Sequence, residues 1–254
     1  MIDVNVTLHR WPFRRLHGDD PASLTSLLRA RGVTQAWACS YDALLHRDLA
    51  GVNERLAADC KEHGKGLLVP FGAVNPKLPD WQEDLRRCHE VHRMPGIRLY
   101  PNYHSYTLAD PACAELLASA TRRKLIVQIA AAMEDERTQN PLLRVPPVDL
   151  TALPSLLKQV TGLRVVLLNS GRTHSRELSS AGAVSFDIAM VEGVGGVAKL
   201  AEEVTPERVL FGSNFPFFYF ESAALKMKEA GLPEAQGRAV FEGNARRLLG
   251  SSHA

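Results

Sequence analysis

The feature that most constrains this chain is a run of eight short apolar, β-branched-rich segments, each followed by a stretch with helical character. They are "IDVNVTL" (2–8), "GVTQAWACS" (32–40), "GLLVPFGAV" (66–74), "GIRLYP" (96–101), "KLIVQIA" (124–130), "LRVVLLN" (163–169), "AVSFDIA" (183–189) and "RVLFGSN" (208–214). Near-continuous hydrophobicity of this kind marks strands covered on both faces. Between them, "PASLTSLLRARG" (21–32) carries a Pro near its start and a Gly at its end, the usual helix punctuation. "DPACAELLASATRR" (110–123) and "GGVAKLAEEV" (195–204) repeat apolar residues at three- and four-residue spacing, and "EGNARRLLG" closes the chain as a short helix.

Eight strand–helix units of roughly 30 residues predict a single (β/α)8 barrel over 1–254. The competing open, doubly wound sheet needs a glycine-rich phosphate turn after its first strand; "HRWPFRRLHG" follows instead. The longest irregular pieces, 9–20, 40–50 and 132–148, all come directly after strands. In a barrel, those are the loops that build a site.

Composition narrows the function classes. The 254 residues are 45% hydrophobic and 23% charged, with 30 Lys+Arg against 28 Asp+Glu interleaved to a net +2. No basic stripe with aromatic interleaving is present, so nucleic acid is not the expected partner. No apolar run approaches the ~20 residues of a membrane span. Cys39, Cys60, Cys88 and Cys113 show no CxxC and no zinc spacing with histidine, which predicts reduced thiols in a cytoplasmic protein. "NVT" at Asn5 matches a glycosylation sequon, but nothing near it reads as a secretion signal.

Strand alternation places Asp3, Asn5 and Thr7 on one face of the first strand and Ile2, Val4 and Val6 on the other. "IDVNVTLHRWPFR", "GIRLYPNYHSYTL", "VQIAAAMEDERTQNP", "RVLFGSNFPF" and "NARRLLG" together resemble the amidohydrolase-related branch of the amidohydrolase superfamily, over essentially the whole chain. The resemblance implies a metal-dependent barrel hydrolase or decarboxylase with ligands at the C-terminal strand ends. At the places it assigns to metal ligands, however, this chain has Asn5 and Thr7 on the first strand, Gln128 and Ala130 on the fifth, Asn169 on the sixth and Asn214 on the eighth. A catalytic zinc needs imidazole, carboxylate or thiolate donors, and neutral amide oxygens are poor substitutes. The expectation is a barrel with no metal and no other cofactor.

Asn5, Thr7, Arg98, Tyr100, Gln128, Asn169, Asp187 and Asn214 are then predicted to converge in a polar, mostly uncharged bowl. Such a bowl suits a small anionic carbonyl compound, with amides that both donate and accept. Arg98 is expected to hold a carboxylate or to pair with Asp3 or Asp187. Arg10, Arg14, Arg137 and Arg172 lie in strand-end loops, and Arg137 is counted as a ligand contact. His104, Tyr103, Asp187 and His174 are candidates for proton transfer, with His104 and Asp187 as the catalytic residues and Tyr103 counted as a ligand contact. Ser170 and His174 are spaced to share a helix face, but no nucleophile elbow surrounds the serine. His9 and His17 lie in the first loop, within reach of the mouth. The glycines of "EGVGG", beside Glu192, predict a pliable edge after the seventh strand. "FPFFYF" (215–220) is too apolar for a free surface and is expected to meet a second subunit, making a homo-oligomer, or else to roof the site. Two readings follow. One is a metal-independent hydrolase, lactonase-like, or a decarboxylase; the other is a catalytically silent homologue that binds a small molecule or a partner subunit.

Overall fold

The computed structural model describes residues 1–250. All eight expected strands are present: β1 (Ile2–Leu8), β2 (Gln35–Ser40), β3 (Leu68–Ala73), β4 (Gly96–Leu99), β5 (Ile126–Ala130), β6 (Arg164–Leu168), β7 (Val184–Asp187) and β8 (Val209–Leu210). They pair in parallel, in sequence order, in one eight-stranded sheet. The sheet closes through backbone bonds from Val4 N–H to the Phe211 carbonyl (2.9 Å) and from Thr7 N–H to the Phe215 carbonyl (3.1 Å). This is a (β/α)8 barrel.

Helices fill the connections: α1 (Pro21–Ala30), α2 (Leu49–Gly64), α3 (Trp81–Arg86), α4 (Pro111–Arg122), α5 (Leu153–Gln159), α6 (Ser175–Ala181) and α7 (Gly196–Val204). After β8 come α8 (Phe220–Glu229), α9 (Glu234–Arg238) and α10 (Asn244–Leu249). The first helix starts as its sequence dictates: the Asp20 side chain accepts from Ser23 N–H at 2.8 Å, with Pro21 in the first turn. Among the described residues no helix is long and apolar enough to cross a membrane. All four cysteines are buried and unpaired.

Two apolar layers hold the barrel. Outward-facing strand residues such as Val127, Val165 and Phe186 pack against the helices, while Ile2, Val4, Trp37, Phe71, Ile126, Val166, Leu168 and Leu210 fill the interior. Ala245 and Leu249 of α10 belong to this interior cluster and close the barrel on that side. Trp37 and Phe71 stack at 4.9 Å. Gly96 makes that possible, because a Cβ there would lie 2.3 Å from the Phe71 ring.

The alternation expected for β1 does not hold along its length. Its register with β2 shifts between Asp3 and Val6, as a β-bulge does, and the parity of side chains changes there. Ile2 and Val4 join the interior cluster, whereas Val6 and Leu8 pack in the outer layer with Leu24 and Leu28 of α1. Asn5 and Thr7 reach the mouth, but Asp3 does not join them. Its carboxylate accepts from Ser213 N–H (3.0 Å) and Ser213 Oγ–H (2.5 Å), tying β1 to the exit of β8.

Candidate functional site

The polar residues at the strand ends form two separate networks. The first centres on Arg98, which is 1% exposed. Its Nε donates to Gln128 Oε1 (2.8 Å), Nη1 to Thr7 Oγ1 (3.1 Å) and to the Val6 carbonyl (3.2 Å), and Nη2 to the Trp37 carbonyl (3.2 Å). Gln128 in turn donates to the Val4 carbonyl at 2.7 Å. A guanidinium has five N–H groups, so four are spent inside the protein and one is left. The expected pairing of Arg98 with Asp3 or Asp187 is not made, because both carboxylates are engaged elsewhere.

The second network joins β1, β6 and β7. Asn5 Nδ2 donates to Asp187 Oδ2 (2.7 Å) and to Asn169 Oδ1 (2.9 Å), and Asn169 N–H donates to Asp187 Oδ1 (2.9 Å). Gly212 makes room for the group, since a Cβ there would stand 2.8 Å from Asp187 Oδ2 and 3.1 Å from the Asn5 Cβ. Burial pushes the Asp187 carboxyl up to about 6, against the pull of its hydrogen bonds from Asn169 and Asn5. Burial likewise raises Asp3 to about 7, with the Asp187 charge adding to the rise. Asn169 and Asn214 both adopt left-handed backbone conformations, φ 58° and 55°, which asparagine tolerates better than most residues. Asn214 donates to the Met133 carbonyl at 3.2 Å and leaves its own buried oxygen unpartnered.

Over the Arg98 network lies an aromatic roof. Trp11 packs edge-on against Tyr41 (5.5 Å) and Phe217 (4.9 Å), with Arg14 stacked 4.7 Å over the Phe217 ring. Tyr100, Leu44 and Met133 belong to the same cluster. The apolar "FPFFYF" segment therefore turns mostly inward: Phe215, Phe217 and Phe220 are buried and Tyr219 is 82% exposed. Burial raises the phenols of Tyr41 and Tyr100, and the nearby Arg98 charge opposes the rise in both. Sequence pattern alone does not mark Tyr41 and Trp11 as site residues. Their only signal was an apolar aromatic character in loops that directly follow strands.

An open cavity of about 460 Å³ lies instead at the β5–β7 edge. Asn169, Ser170, Arg172, Thr173, Asp135 and Glu192 supply its polar lining, and Ala131, Val148 and Met190 are among its apolar walls. The Ser170 Oγ is buried there without a partner. Arg172 approaches Glu203 at 3.7 Å. Ser170 precedes α6 rather than lying on it, and His174 pairs with Glu177 (3.3 Å), so the two do not share a helix face.

His104 and Asp187 are not brought into one constellation. His104 Nε2 donates to the Ala43 carbonyl at 2.8 Å, its ring rests edge-on against Tyr100, and burial lowers its pKa, keeping it neutral. Tyr103 lines a separate hollow beside His104, facing the β2–β4 loops. Arg137 stands outside the bowl, 86% exposed and paired with Asp135. His9 turns away from the mouth, bonded to Ser40 (2.6 Å) and Asp59 of α2 (2.9 Å).

The donor set does not fit a catalytic metal. Among the described residues no group of three or more His, Cys, Asp or Glu could hold one. The oxygens of Thr7, Gln128 and Asn169 already accept hydrogen bonds, two of them from a guanidinium.

A family model described as Amidohydrolase matches residues 5–251. No curated protein sequence is matched significantly. Among solved structures, 2,6-dihydroxybenzoate decarboxylase from Rhizobium is similar at TM-score 0.77 and 14% identity, covering 97% of this chain and 98% of that one. A dihydroxybenzoic acid decarboxylase from Polaromonas sp. JS666, with bound manganese and the inhibitor 2-nitroresorcinol, is similar at TM-score 0.72 and 12% identity, covering 97% of each chain. The 4-oxalomesaconate hydratase of Rhodopseudomonas palustris follows at TM-score 0.73 and 15% identity, with 98% and 95% covered. At such identities the likeness establishes the fold.

Proposed function

The chain belongs to the amidohydrolase family, and on that premise we propose that it binds a small anionic carbonyl compound at the β5–β7 edge of its barrel mouth and acts on it without a metal, as a decarboxylase or a lactonase-like hydrolase. The observation that carries this reading is the cavity whose lining includes Asn169, with Asp187 one hydrogen bond behind it. The cavity lies at the C-terminal strand ends, where barrels of this kind place their sites, and its volume suits a small ligand. Arg172 is the cation in the lining and receives the anionic group. The Ser170 hydroxyl, buried and unpartnered beside the cavity, becomes the donor to a carbonyl oxygen once its side chain turns toward the ligand. Asp187, its carboxyl raised to about 6 by burial, is the group assigned to proton transfer, reaching the ligand when Asn169 moves aside. Neighbours that include decarboxylases and a hydratase support the substrate class.

The test is a calorimetric screen of small carboxylated carbonyl compounds and lactones, followed by assays for released carbon dioxide and for ring opening. Asn169→Ala and Asp187→Asn should each lower kcat/KM by about 100-fold. Unchanged turnover in both variants would overturn the assignment. A second reading, a catalytically silent binder, is favoured by how many donors of Asn5, Gln128 and Arg98 are spent internally. Saturable binding with no product in either assay decides for it.

A further inference from the structure

Among the described residues Arg98 is the one lysine or arginine that is fully buried, and it has no carboxylate partner. A lone buried charge is costly unless its donors are matched. Here four N–H groups meet four neutral oxygens, two on side chains and two on backbone. Those oxygens come from β1 (Val6, Thr7), β2 (Trp37) and β5 (Gln128), while Arg98 itself belongs to β4. The guanidinium therefore cross-ties four strands through the barrel interior, which the sheet's own ladder bonds cannot do. Two of its partners, Thr7 and Gln128, occupy strand-end positions at which the family resemblance sets metal ligands.

We propose that the Arg98 guanidinium is the resident cation of this barrel: a covalently fixed charge that gathers the strand-end oxygens a metal ion would otherwise gather, and that excludes a divalent ion from the same place. The planar fork matters as much as the charge. Its bonds run in fixed directions to four acceptors, which neither an ammonium nor a spherical ion reproduces. Repulsion adds to the exclusion, since a divalent ion at hydrogen-bond distance from the same oxygens would lie within a few ångströms of the guanidinium.

The experiment compares melting temperatures of the wild-type chain, Arg98→Ala and Arg98→Lys, each with and without methylguanidinium at roughly 5–10 mM, and with manganese or zinc. Arg98→Ala should melt about 10 °C lower and recover several degrees, saturably, with methylguanidinium but not with sodium chloride at equal ionic strength. Arg98→Lys should not recover. The wild-type chain should neither shift with manganese or zinc nor retain either after dialysis, read by elemental analysis. Three results would each overturn the proposal: stoichiometric metal retained by the wild-type chain, an Arg98→Ala melting temperature equal to wild type, or recovery by sodium chloride equal to that by methylguanidinium. Should Arg98→Ala fail to fold, Thr7→Val and Gln128→Met each remove one acceptor. Both should melt lower than wild type, and no change in either counts against the proposal.

Discussion

On the β1–β4 side of the mouth a permanent charge is sealed beneath aromatic rings; on the β5–β7 side a titrating one lies a single residue behind an open cavity. Both sides draw on amides at strand ends, yet they differ in what those amides do. Gln128 serves Arg98 and the backbone, and a buried, largely aromatic roof stands above them. Asn169 serves Asp187 and Asn5 on one side and lines the cavity on the other. A closed network is a structural tie, whereas a network that reaches a cavity is a place where a ligand changes the energy. The largest expected effect tests the tie. Arg98→Met leaves four buried acceptors unmatched and should cost about 3–5 kcal/mol in denaturant unfolding, without altering ligand affinity in the β5–β7 cavity. Loss of that affinity in a folded variant would mean that the two sides form one site.

Gly212→Ala strikes the other side. The added Cβ would press on Asp187 and Asn5, and overpacking of this kind costs about 1–3 kcal/mol. It should also weaken ligand binding, because Asp187 and Asn169 move together. A variant that unfolds earlier but binds normally would separate the carboxylate from the cavity.

How far the sequence anticipates each side follows from periodicity. Eight apolar runs predict the barrel because burial on both strand faces is a long, redundant signal, and each strand of the sheet bears it out. The bulge in β1 escapes that signal. A single extra residue leaves the "DVNVT" pattern intact while turning Asp3 to β8 and Asn5 to the mouth. Convergence of Asn169 and Asp187 is legible, since each stands at the end of a strand, and Asn5 joins them from the middle of β1. Separation of His104 from Asp187 is not, because loop direction depends on contacts such as that with the Ala43 carbonyl, formed only in the folded chain. The roof was half visible: "FPFFYF" had to be covered, but its partners Trp11 and Tyr41 lie about 200 and 175 residues away in sequence, beyond local pattern.

Two buried carboxylates, Asp187 behind the cavity and Asp3 at the β1–β8 seam, give the barrel a pH signature. Asp3 and Asp187 have folded pKa values of about 7 and about 6, both above the model-peptide range near 4. Between those limits these two groups bind more protons in the folded state than in the unfolded, so their contribution to stability falls as pH rises from about 4 to 7 and levels off above, while His104 and the ion-paired Asp135, whose values are lowered, contribute with the opposite sign. The slope reaches at most about 1.4 kcal/mol per pH unit for each carboxylate. Asp187→Asn should flatten the lower part of this window, pH 4–6, leaving the decline between pH 6 and 7, whereas Asp3→Asn should flatten it up to pH 7. Asp3→Asn and Asp187→Asn profiles that run parallel to wild type across this range would contradict the burial assigned to both groups.

The smallest expected effect bears on where the open side ends. Arg137 sits in the loop 132–148 that borders the cavity, and its partner Asp135 lines it. The side chain itself is exposed, and an ion pair held in water by residues two apart contributes little to stability or to recognition. Arg137→Ala should therefore leave the melting temperature unchanged and ligand affinity within about twofold of wild type. Arg172→Ala, which removes the cation from the cavity lining, should weaken binding of an anionic ligand about tenfold or more and leave a neutral lactone nearly unaffected. If the two variants exchange these behaviours, the anionic group is received by the β5 loop rather than at the exit of β6. The cavity would then be read from its rim inward, with Arg137 as the contact and Arg172 as the surface charge.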